Sequence, residues 1–95
     1  MADPQDDAPK VTMYRTRSCP FCVMAAQFLE SLDVPFEEVA LDDHPDRRGF
    51  TDSLKPGHYT VPLVMVGDEP VGGFDELRAL HARGELFSTL RLDKS

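Results

Sequence analysis

Cysteine is scarce in this chain: two residues in 95, Cys19 and Cys22, three positions apart. The scarcity excludes a disulfide framework. It also excludes the usual zinc knuckle, which needs a second ligand pair at short spacing. His44, His58 and His81 show no paired spacing, so no metal site is expected and the histidines read as exposed polar residues. Basic residues are also few, 10 Lys and Arg against 17 Asp and Glu, for a formal charge of −7. Phosphate recognition relies on clustered Lys and Arg, so no nucleic-acid partner is expected. Long apolar runs are missing as well. The longest, Val61 to Val66, is interrupted by Pro62 and is too short to cross a bilayer, so no membrane partner is expected. The opening stretch, MADPQDDAPK, lacks the charged and apolar blocks of a secretion signal. Residues 1–9 read as a flexible acidic tail, residues 10–95 as a single domain, and the expected state is a cytoplasmic monomer. Cytoplasm keeps thiols reduced, which counts against a purely structural disulfide.

What is present has a clear order. VTMYR, Val11 to Arg15, alternates apolar and polar side chains and reads as a first strand. From Pro20, the residues Phe21, Met24, Ala25, Phe28, Leu29 and Leu32 recur at helical spacing. Pro20 suits the first turn of that helix, where a missing N–H costs nothing. Val34 to Leu41 reads as a second strand. A second helix is expected over DDHPDRRGFTDSLKPG, capped by Asp42 or Asp43, with Phe50 and Leu54 facing the core. Val61 to Val66 has the character of a central strand and Pro70–Val71 of an edge strand. Asp75 to Arg83 reads as a third helix stopped by Gly84, and Leu86, Phe87, Leu90 and Leu92 suggest a last helical turn or two. The expected fold is α/β: a four-stranded mixed sheet flanked by helices on both faces.

The cysteines lie where the first strand gives way to the first helix. The first helical N–H groups lack carbonyl partners and point toward the Cys19 sulfur. These donors and the positive helix end favour the thiolate, the species that attacks. Arg15 and Arg17 add positive charge around the pair. Cys22, one turn further in, is expected to be more buried, so Cys19 attacks and Cys22 resolves. Two other stretches stand out. A proline before a central strand cannot donate to the ladder. A cis Val61–Pro62 bond would turn the Val61 backbone outward to meet an extended peptide, whereas a trans bond would make Pro62 an ordinary strand start. Gly72-Gly73 allows either a simple turn or a close backbone approach at a helix start, where free N–H groups bind carboxylates.

Taken together, the three stretches resemble the glutaredoxin family over residues 10 to 92. Cys19-Pro20-Phe21-Cys22 is similar to its active-site motif, with phenylalanine where tyrosine is usual. Thr60-Val61-Pro62 resembles its Thr-Val-Pro with a cis proline, and Gly72-Gly73-Phe74-Asp75-Glu76 its Gly-Gly-x-Asp-Asp segment. LRALHARGEL reads like a glutaredoxin carboxyl end. The resemblance implies a thioredoxin-like fold and a glutathione-dependent thiol–disulfide oxidoreductase that reduces protein disulfides and glutathione mixed disulfides. Glutathione, or another low-molecular-weight thiol, is the implied co-substrate, and Cys19 would form the mixed disulfide with it. Val61 would hydrogen-bond the tripeptide backbone, while Phe21, Thr60 and Pro62 would line the groove. Gly73, Phe74 and Asp75 would hold its γ-glutamyl end. The family usually carries a lysine three residues before the first cysteine, contacting the tripeptide's glycine carboxylate. Here that residue is Thr16, so Arg15 and Arg17 beside it, or Arg47 and Arg48 on the second helix, are the candidate replacements. The alternatives are a ribonucleotide-reductase-type redoxin reduced by thioredoxin reductase, which lacks the acidic pair at Asp75-Glu76, and an iron–sulfur carrier, which usually lacks Pro20.

Overall fold

The computed structural model describes residues 10–92, and the expected acidic tail, residues 1–9, lies outside the described residues. Strand β1, Val11–Arg15, pairs parallel with β2, Glu37–Ala40, and antiparallel with β3, Leu63–Val66, which pairs antiparallel with β4, Glu69–Gly72. The sheet order is β2-β1-β3-β4, the mixed four-stranded sheet expected. Alternation along β1 separates its faces. Val11 and Met13 turn into the main core with Val64 and Val66 of β3, and helices α1, Pro20–Ser31, and α3, Phe74–Ala82, cover them with Ala25, Leu29 and Leu77. Tyr14 points to the other face, where the Phe50 ring of α2, Arg47–Leu54, meets it edge-on at 5.1 Å. Helices therefore lie on both faces. A short α4, Leu86–Thr89, closes the core with Leu86 and Leu90.

Several boundaries differ from expectation, each for a local reason. The second strand is shorter than Val34 to Leu41 because Pro35 cannot donate to a ladder. All four paired residues of β2 are exposed, and Val34 and Leu41 are buried as its flanks. Neither Asp42 nor Asp43 caps α2. Pro45 keeps His44 out of helical geometry, so the helix starts after Asp46, whose Oδ1 accepts from the Gly49 N–H at 3.0 Å. Asp42 is used elsewhere: its Oδ2 accepts from the Arg17 N–H at 3.1 Å. On α2 the fully buried residue is Thr51, with Phe50 and Leu54 half-buried. The third strand begins at Leu63 because Pro62 has no N–H to pair, and α3 begins at Phe74, with Gly73 as its N-cap, one residue before Asp75. Gly84, at φ +73°, makes the left-handed turn that stops α3.

Candidate functional site

Three chain segments meet at one end of the sheet: the turn from β1 into α1, the approach to β3, and the start of α3. Cys19 is the N-cap of α1 and Pro20 its first residue, so the sulfur sits where the helix presents unpaired amides. The Cys22 N–H donates to Cys19 Sγ at 3.1 Å. On its other side the Cys19 thiol donates to the Val61 carbonyl at 3.6 Å. The Val61–Pro62 bond is cis, which decides between the two readings of that stretch. Both cysteines are free thiols; Cys19 is partly exposed and Cys22 is fully buried.

Burial is the main reason the Cys22 thiol is pushed up to about 12, and its contact with Cys19 adds to the effect. The Thr16 backbone and the Arg15 charge act the other way. Cys22 is thus a neutral, shielded thiol one turn behind an accessible sulfur.

Beside Cys19 runs a groove of ≈ 250 Å³ lined by Phe21, His58, Thr60, Val61, Pro62, Gly73, Phe74, Asp75 and Glu76. Seven of the sequence candidates line this groove (Phe21, Thr60, Val61, Pro62, Gly73, Phe74 and Asp75) although they come from separate segments. The Gly73 amide is already occupied by Glu76 Oε1 at 2.6 Å, so the next amides, those of Phe74 and Asp75, are the open donors at the start of α3. Space at Gly73 is tight, because a Cβ there would lie 3.2 Å from the Pro62 carbonyl oxygen.

Arg15, Thr16 and Arg17 do not line the groove. Arg15 is bonded to Glu38 of β2 and to the Thr16 carbonyl, and the Arg17 side chain is exposed. Arg47 and Arg48 do reach the region. With Thr51 and Tyr59 they line a second depression that shares Thr60 and Val61 with the groove, and the Arg48 guanidinium stacks over the Tyr59 ring at 5.6 Å.

The sequence predicts an exposed polar residue at His58. It is half-buried in the groove wall, with Nε2 3.2 Å from the Pro62 carbonyl oxygen, so that nitrogen carries the proton and donates. No local pattern marks it; only its place two residues before Thr60-Val61-Pro62 hints at the groove. Of the other histidines, His44 is half-buried and its Nδ1 accepts from the Asp46 N–H, while His81 is exposed and packs on Phe28.

An accessible thiol at a helix start, a buried thiol behind it and a cis proline opposite define a thiol-exchange protein of the thioredoxin-like class. Comparison with known proteins places it within that class. The glutaredoxin family model matches residues 11–71. A glutaredoxin of Pseudomonas aeruginosa is 40% identical over 82 residues, covering 86% of this chain and 96% of that protein. Glutaredoxin 3 of Escherichia coli K12 is 35% identical, covering 85% and 96%. The solution structure of glutaredoxin from Brucella melitensis superposes with a TM-score of 0.77 at 31% identity, covering 93% of this chain and 95% of that one. The chain belongs to the glutaredoxin family and has the role of a thiol–disulfide oxidoreductase.

Proposed function

We propose that the protein is a dithiol, glutathione-dependent oxidoreductase that reduces protein disulfides and glutathione mixed disulfides. The observation that carries this reading is Cys19 Sγ, held between the Cys22 amide and the Val61 carbonyl at the edge of the groove. In the forward step the Cys19 sulfur attacks one sulfur of a substrate disulfide. That S–S bond breaks, a mixed disulfide forms on Cys19, and the leaving sulfur takes up a proton. The Cys22 N–H already donates to that sulfur, so a hydrogen-bond donor faces it as it attacks. The mixed disulfide is then resolved either by Cys22, giving the Cys19–Cys22 disulfide, or by a glutathione thiol, giving glutathione disulfide.

Glutathione fits the groove by chemistry. Val61 offers backbone groups to an extended peptide, and the open amides of Phe74 and Asp75 suit the γ-glutamyl carboxylate. The Asp75 carboxylate suits the adjacent ammonium. Arg47 and Arg48 take the part of the lysine that Thr16 replaces, receiving the glycine carboxylate from the second depression. We place the protein in the cytoplasm, acting as a monomer, where glutathione keeps thiols reduced.

The test is turnover of a glutathionylated peptide, with glutathione and glutathione reductase as one electron supply and thioredoxin reductase as the other. Turnover with glutathione is expected. Turnover with thioredoxin reductase alone would replace this reading by the redoxin one.

A further inference from the structure

The pairing of β1 with β2 ends at Arg15 and Ala40, and one more bond follows, from the Leu41 N–H to the Arg15 carbonyl at 2.7 Å. A continuing parallel ladder would next take the Arg17 N–H to the Leu41 carbonyl. That carbonyl is used elsewhere, accepting from the His44 N–H at 3.0 Å as the chain turns toward α2. The Asp42 side chain takes its place, with Oδ2 accepting from the Arg17 N–H at 3.1 Å. Its other oxygen, Oδ1, is buried and has no hydrogen-bond partner among the described residues. Enclosing an unpaired polar atom is costly, and the Arg17 amide is the one hydrogen-bond partner this carboxylate has there. Arg17 and Ser18 form an exposed turn that leads directly into Cys19, and α1 begins at the next residue. The nucleophile is thus suspended between two supports, the Asp42 anchor before it and the first turn of α1 after it. None of residues 16–18 lines the groove. The anchor therefore bears on where the sulfur stands and not on the walls that hold a substrate.

We propose that Asp42 is a positioning residue for thiol–disulfide exchange: by standing in for a strand carbonyl against the Arg17 amide, it fixes the Arg17–Ser18 turn and with it the place of the Cys19 sulfur beside the Val61 carbonyl. Asp42 touches no substrate. The inference rests on the reading of Cys19 as the attacking sulfur, and it is independent of which thiol reduces the protein. Attack on a bound disulfide needs the sulfur aligned with the S–S bond, so a slackened turn slows the reaction without weakening binding.

The test uses the purified, reduced full-length protein in single turnover with no glutathione present. The substrate is a short peptide whose one cysteine is in mixed disulfide with thionitrobenzoate. The Cys19 sulfur attacks the peptide sulfur, the S–S bond breaks, a Cys19–peptide disulfide forms, and the coloured thiolate leaves while the thiol proton passes to buffer. Alkylation of Cys19 by iodoacetamide, which needs no bound geometry, is the reference. Asp42→Ala is expected to lower release at saturating peptide by roughly three- to tenfold, with half-saturation and the alkylation rate each within about twofold of the parent. Asp42→Asn, which keeps an acceptor oxygen for the Arg17 amide, should recover most of the loss. Asp42→Glu, which keeps the charge but displaces the acceptor, should not. A residue that only supports the fold would lower the urea midpoint of D42A and leave release from the folded protein unchanged; that result overturns the proposal. So does an equal fall in release and alkylation, which would place the effect in the thiol's chemistry, and so does D42E matching the parent while D42N does not. Should D42A fail to fold, D42N and D42E decide on the same two rates. Cys19→Ser, run alongside, should release nothing; release there would sink the nucleophile reading itself, and this proposal with it.

Discussion

At the scale of single residues, the site separates two thiols by burial rather than by chemistry. Cys19 is open to a substrate and receives an amide hydrogen bond, whereas Cys22 is fully enclosed. A neutral alkylating agent should therefore label Cys19 in the folded, reduced protein and reach Cys22 only after denaturation, as peptide mass mapping would show. Cys19→Ser should abolish all turnover. Cys22→Ser should keep deglutathionylation, which needs one thiol, and lose protein-disulfide reduction by at least about tenfold. If the two variants exchange these phenotypes, the roles of nucleophile and resolver are reversed. His58 makes a different contribution. Its Nε2–H holds the Pro62 carbonyl, and its ring packs 3.6 Å from where a Gly73 Cβ would stand, so it braces both walls of the groove. Losing one such hydrogen bond costs about 0.5–1.5 kcal/mol. His58→Ala should accordingly raise KM for a glutathionylated peptide by roughly two- to tenfold with kcat little changed. His58→Gln, which keeps an N–H donor, should recover most of the loss.

At the scale of elements, α2 depends on its cap more than its neighbours do. It spans 47–54, contains Gly49 within its first turn, and buries only Thr51 fully. Propensity and burial are both weak there, so the Asp46 carboxylate on the Gly49 amide carries much of its stability. Asp46→Ala should cost about 0.5–2 kcal/mol by urea denaturation, and α2 should lose amide protection before α1 or α3. The same helix explains where the sequence was hard to read. Three aspartates precede it, and only the position of Pro45 decides that Asp46 caps the helix while Asp42 is left to hold the Arg17 amide. By contrast β1 and the start of α1 are plain, because alternation and a proline at the first helical position are local signals, whereas Gly72-Gly73 left the start of α3 one residue off. The meeting of Phe21, Val61 and Phe74 in one groove is not a local signal, and the resemblance to a known family supplied it. His58 belonged to no motif and became visible only when the chain was folded around it. Arg15 was assigned to ligand binding by its nearness to the cysteines in sequence, but pairing with Glu38 on the neighbouring strand keeps it out of the groove.

At the scale of the molecule, the sheet order β2-β1-β3-β4 brings the end of β1 beside the beginning of β3, because the two central strands run antiparallel. One end of the sheet thus collects the cysteine turn, the Thr60-Val61-Pro62 approach and the start of α3. The resolving thiol is packed into the fold at that junction, so its ionisation is tied to global stability. The unfolded chain releases a thiol proton near the ordinary value of 9.0, whereas folded Cys22 keeps its proton up to about 12. Between these values the native state binds more protons than the unfolded state, so stability falls as pH rises, and the contribution is fully present only below about 9. The loss is on the order of 1.4 kcal/mol for each pH unit of that window. Tyrosines and lysines titrate in the same range, so the informative quantity is the difference between two proteins. Urea unfolding of the reduced parent and of Cys22→Ala, each followed from pH 8 to pH 11, should give a stability gap that is constant at first and then narrows steadily as alkali is added. Curves that stay parallel would mean that the enclosed thiol ionises in the folded protein as readily as in the unfolded chain, and that the shielding assigned to Cys22 is absent.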